Sequence, residues 1–155
     1  MRRLAAALYE VALTFWVGGL WAIGYLAAPT LFATLAHDRP LAGALAGRLF
    51  ELMGWVGLAC GSYLLLFSLL RFGAISFKRW NFWLILLMLL LTAVSLFGIQ
   101  PLLAQIKADA LPREVMESVL RNRFATWHGV SSILYLVQSV LGLLLVGGTL
   151  RGGAR

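Results

Sequence analysis

Charge is scarce in this chain. Only 12% of its 155 residues are Asp, Glu, Lys or Arg, and six of those are acids. The net charge of +7 has no basic stripe to carry it, which excludes nucleic acid as a partner. A single cysteine, Cys60, rules out an intramolecular disulfide and reads as a small core residue beside Gly57 and Gly61. Catalytic patterns are missing as well: there is no Ser/His/Asp arrangement, phosphate-cradling glycine loop, HExxH or CxxC. Nothing specifies a reaction, so the expected role is non-enzymatic and needs no cofactor. The period-two alternation of a membrane barrel strand is also absent.

What fills the chain instead is apolar sequence: 61% of residues are hydrophobic, and the mean hydropathy is +0.88. Four runs are each long enough to cross a bilayer, for which about 20 apolar residues suffice. Leu4–Ala28 holds one charge, Glu10, while Leu52–Leu70, Trp80–Ile106 and Phe124–Leu150 hold none. In lipid the backbone must satisfy itself, and uninterrupted runs do so as helices. The expected fold is all-α: an integral membrane four-helix bundle forming one domain over 1–155. Its spans lie at about 4–28, 50–72, 80–100 and 125–150, with a partly helical segment over 101–124. The first run is too long for a signal-peptide core, and Pro29 after Ala27-Ala28 would obstruct cleavage. An even number of spans puts both termini on one side. Basic residues crowd Arg2-Arg3 and the short turn Arg71–Arg79, so that side is read as the cytoplasm of a bacterial inner membrane.

The connections carry their own signals. Asp38-Arg39-Pro40 reads as a helix start. Nothing then breaks the helix before Phe72-Gly73, giving roughly 33 residues and about 50 Å of helix. Helices 2 and 3 are therefore expected to extend beyond the outer face, with Arg48 and Glu51 paired near the interface. A kink is expected at Gly98 and Pro101. Leu111-Pro112 restarts a helix, and Glu114–Arg123 offers a docking patch or an ordinary ion-paired surface. Besides the lipid bilayer, the partner this suggests is another membrane protein, held through the outer helical extension. Lys78-Arg79 with Trp80 and Trp83 anchors the inner turn at the headgroups.

Helix 4 holds the most suggestive pattern. His128, Ser131, Ser132, Tyr135, Gln138, Ser139 and Gly142 recur at three- and four-residue spacing, so they form one face. A polar seam is unfavourable against lipid, and it is expected to point inward. Its counterparts are Thr92 and Ser95 on helix 3, Ser62 and Ser68 on helix 2, and Thr14 on helix 1. Such a seam either ties helices together by hydrogen bonds or lines a cavity for a small solute. His128, alone or with His37, could ligate haem or copper, although no metal-spaced cluster surrounds either residue. The one acid within a span, Glu10, must find a cation or hold its proton. Arg71 is the expected partner, and proton-coupled transport is the alternative. Gly18 and Gly19 on helix 1, with Gly57 and Gly61 on helix 2, are expected to let those helices touch. Trp16 and Trp21 are expected to fill the core.

Two segments, GGLWAIGYLAAPTLFATL (Gly18–Leu35) and FATWHGVSSILYL (Phe124–Leu136), resemble the transmembrane protein 205-like family. AGALAGRLFELMGWVGL (Ala42–Leu58) is similar to that family's stretch after helix 1. The resemblance implies a four-helix integral membrane protein without an established activity. A tryptophan-glycine-glycine first helix with histidines also resembles the copper-resistance D type. Membrane-bound haem-containing protoporphyrinogen oxidases are of similar size, but this chain has no histidine in helix 1 where that family would place one. Taken together, the sequence favours an accessory or scaffold subunit, or a small-solute handler. The alternatives are a redox protein using His128 and proton transport through Glu10.

Overall fold

A computed structural model of the chain describes residues 2–110 and 118–153, and those residues form helices joined by two tight turns. Helix α1 is one rod over 2–34: α-helical across Arg2–Trp21, π-helical across Ala22–Ala27, and α-helical again across Ala28–Thr34. Helix α2 spans Arg39–Phe72. Helix α3 covers 80–110, with a π-helical turn at Ser95–Ile99 between α-helical Trp80–Val94 and Gln100–Ala110. Helix α4 spans Ser118–Gly153.

Local chemistry accounts for these ends. The Asp38 side chain accepts from the Leu41 amide at 3.0 Å and caps α2, with Pro40 in its first turn. Gly73, at φ 55°, closes α2, a backbone conformation that suits glycine. Both π-helical turns stand just before a proline. Pro29 and Pro101 are each the second residue of the resumed α-helix. Proline has no N–H, and its ring crowds the carbonyl four residues back. A widened turn ahead of it takes up that clash and keeps the rod continuous. The amide of Ala28 accordingly reaches the carbonyl of Ile23, and that of Gln100 the carbonyl of Ser95, each five residues back.

The helices run up and down. Tyr63 donates to the Ala5 carbonyl at 2.9 Å, and Gly148 lies against Asn81. The start of α1, the α2–α3 turn and the end of α4 therefore share one end of the bundle. Trp16, Leu64, Ile85, Met88 and Leu145, drawn from all four helices, are 0% exposed. The outside is apolar too: Phe15, Leu70, Leu90 and Ile133 are all exposed. That inversion suits hydrocarbon rather than water. Four stretches qualify by length and composition as membrane spans: Arg3–Thr34, Arg39–Lys78, Trp80–Ile106 and Asn122–Thr149. The chain is an all-α helical bundle of the multi-pass membrane class. Overrun is not confined to helices 2 and 3: the 32 residues of the first stretch extend about 48 Å against about 30 Å of hydrocarbon. The helix restart expected at Leu111-Pro112 lies outside the described residues, and of the Glu114–Arg123 patch only the exposed Asn122 and Arg123 have described side chains.

Candidate functional site

The middle layer of the bundle gathers one residue from each helix: Trp16, Gly57, Thr92 and Gln138. Gly57 and Gly61, one turn apart on α2, form the slot that receives the indole of Trp16. A Cβ on Gly57 would come within 2.6 Å of Trp16 Nε1, and one on Gly61 within 2.8 Å of Cη2. Beside it, Gln138 Nε2 donates to Thr92 Oγ1, and Thr92 donates in turn to the Met88 carbonyl at 2.8 Å. This chain of bonds ties α4 to α3 where both residues are buried. Trp16 Nε1 is the exception, a fully buried donor without an acceptor. Such an orphan is uncommon, because leaving a buried N–H unpaired costs about 1–3 kcal/mol.

A second layer surrounds the π-helical turn of α1. Tyr135 donates its hydroxyl to the Leu20 carbonyl. Its ring lies edge-on to Phe50 at 5.1 Å and approaches Tyr25 at 6.4 Å, while Trp21 sits 4.9 Å from Tyr25. Gly24 leaves the space that the Tyr135 ring occupies. Sequence reasoning missed Gly24, Tyr25 and Phe50 as partners of Tyr135. The available signal was Pro29 at the edge of the first apolar run, which calls for a local change in helix geometry upstream where the helix continues past it.

The seam expected on α4 is therefore divided. Gln138, Ser139 and Gly142 are buried, and Ser131 and Tyr135 are half-buried. His128 and Ser132 are exposed, contrary to the inward placement expected of them. Height is not the reason: His128 stands two turns, about 10 Å, beyond Tyr135, but Ala42, Leu103 and Ile106 are buried toward that same end. Its side chain is turned away from packing that continues past it. Ser132 turns back onto the His128 carbonyl at 2.9 Å, and the imidazole stacks on Phe124 at 5.7 Å. His37 is in the exposed turn before α2. Among the described residues no three His, Cys, Asp or Glu side chains group as metal ligands would.

Other placements differ as well. Thr92 is buried and Ser68 half-buried, whereas Ser62 and Thr14 are exposed. Trp21 is 39% exposed and belongs to the rim rather than the core. Gly19 packs on Met53, but Gly18 has nothing within 4 Å of a Cβ, because it lies about 100° round the helix on the outer wall. Glu10 is exposed on that same wall. It does not pair with Arg71: Arg48–Glu51, at 2.6 Å, is the ion pair formed among the described residues. With Val11, Thr14, Phe15, Gly18, Gly19 and Ala22, Glu10 lines an open groove of about 490 Å³ along α1. Among the described residues neither the Glu10 carboxyl nor the Thr14 hydroxyl is hydrogen-bonded through its side chain, although Thr30, Ser68 and Ser139 fold back onto carbonyls four residues earlier.

A family model described as a domain of unknown function, DUF4149, matches residues 11–112. The match takes in most of α1, all of α2 and all described residues of α3. It stops before α4. No curated protein and no solved structure matches the chain.

Proposed function

We propose, for a chain that belongs to the family of the domain of unknown function DUF4149, a non-enzymatic role as an accessory or scaffold subunit of a bacterial inner-membrane assembly. The observation that carries this reading is the outer wall of α1. There a carboxyl and a hydroxyl, one turn apart, are exposed and have no hydrogen-bond or ion-pair partner among the described residues. Polar groups at membrane depth are costly unless satisfied. The proposed occupant of the groove is a partner transmembrane helix with a basic or hydrogen-bond-donating side chain at the depth of Glu10. Small residues at Thr14, Gly18 and Ala22 would allow that helix a close approach. The polar groups of the middle layer, by contrast, are largely spent on one another, which favours a scaffold over a solute handler. The finer likeness to the transmembrane protein 205-like family, and termini on the cytoplasmic side, belong to the same proposal.

A photo-activated cross-linker at Phe15 in intact membranes tests the docking. The expected result is a discrete protein adduct that disappears in Glu10→Leu. Adducts with lipid alone would remove the proposal. The same unpaired carboxyl favours one second reading, in which Glu10 carries a proton. On that reading Glu10→Gln abolishes proton uptake by reconstituted vesicles while the adduct survives.

A further inference from the structure

The α2–α3 turn presents cations in a fixed frame. Its residues Gly73–Lys78 form a 3-10 turn that is pinned from three directions. Ser76, 0% exposed, donates to the Ser68 carbonyl at 2.7 Å. Trp83 Nε1 donates to the Phe77 carbonyl at 2.9 Å. The Arg79 guanidinium lies 3.8 Å over the Phe72 ring, and the Arg79 amide donates to the Ser76 carbonyl at 3.0 Å. A cation–π contact uses the ring face and consumes none of the guanidinium N–H donors. Arg71, Lys78 and Arg79 are all exposed, and none of them is in an ion pair among the described residues. No acid occurs in the sequence between Glu51 and Asp109, and Glu10, which lies toward this end on α1, forms no ion pair with them among the described residues. Ile75, Phe77 and Trp80 are exposed around the same turn, at 64%, 53% and 69%. The first turn of α3 begins here without a side-chain cap, so its positive dipole end adds to the field.

We infer that this turn binds the phosphate of an anionic phospholipid headgroup between Lys78 and Arg79. Ile75, Phe77 and Trp80 would lie beside that lipid's acyl chains. At the opposite end of the bundle Arg48 is paired with Glu51, and Asp38 stands beside Arg39. A pre-set Arg fork beside a Lys suits a phosphodiester, and the apolar collar distinguishes a lipid from a free anion.

Native mass spectrometry of the purified full chain, offered equal phosphatidylglycerol and phosphatidylethanolamine, tests the site. One phosphatidylglycerol should be retained preferentially. That preference should fall about fivefold for each cation removed in Lys78→Gln and Arg79→Gln, the equivalent of about 1 kcal/mol per basic residue. Arg48→Gln should leave it unchanged, and far-UV circular dichroism should report the same helicity for every variant. Equal retention of the two lipids, or a preference that survives the double substitution, would overturn the inference. Displacement of the lipid by excess inorganic phosphate would also overturn it, by making the turn a plain anion site.

Discussion

Gly57 and Gly18 are both glycines on long membrane helices, yet they answer to different neighbours. At Gly57 the missing side chain is filled by Trp16, whose ring is wholly buried and has nowhere to retreat. Gly57→Ala should therefore cost about 1–3 kcal/mol through overpacking. Gly18→Ala, which adds a methyl to open space, should leave the melting temperature in detergent unchanged. Thermal unfolding of the two variants side by side checks the assignment of each glycine. The spacing of Gly57 and Gly61 was legible in the sequence as a contact between helices. That their occupant is the Trp16 indole, rather than the backbone of α1, was not, because spacing does not specify which side chain enters a slot. His128 shows the same limit from the other side. It shares the helical face of Tyr135 and Gln138, yet it is exposed toward an end where Ala42 and Leu103 are buried, so spacing along one helix does not decide which of its residues the neighbours cover.

At the scale of elements, the π-helical turn of α1 shapes the layer around Tyr135. Pro101 beside Gly98 signalled an irregularity in α3, and the structure resolves it as a π turn within a continuous rod. Pro29 carried the same chemistry but sits at the edge of the first apolar run, where it reads as a boundary. The π turn beside it brings Gly24 against the Tyr135 ring, and the Leu20 carbonyl receives the Tyr135 hydroxyl. Tyr135→Phe keeps the ring contact with Phe50 and deletes that bond. It should destabilise the bundle by about 1 kcal/mol, as read from unfolding in detergent, without changing helicity. A loss several times larger would mean that the hydroxyl organises the whole layer. The N-terminal cap at Asp38 and the stop at Gly73 were both readable in advance, since capping depends on residues adjacent in the chain.

For the whole molecule, the contacts Tyr63–Ala5 and Gly148–Asn81 put the beginning of α1, the α2–α3 turn and the end of α4 at one end of the bundle. Arg3, Arg71, Lys78 and Arg79 gather there, whereas acids and bases mix around Asp38–Glu51 at the other end. The proposed orientation puts the basic end in the cytoplasm. In a Cys60→Ala background, a membrane-impermeant maleimide applied to spheroplasts should label His37→Cys and spare Arg3→Cys. The reverse pattern would invert the molecule. It would also move the proposed lipid-binding turn to the other leaflet.

The sequence by itself determined the membrane class, the four helices and both ends of α2. Each of these depends on hydrophobic length or on caps a few residues away. Only the tertiary structure decided which polar residues meet. Gln138 reaches Thr92 from 46 residues away, while Glu10 and Thr14 turn to the outside. The reason is physical: a helix offers several faces of similar composition. Which of them is buried depends on the relative rotation and height of four packed rods, and these follow from how Trp16, Tyr135 and their glycine slots fit together.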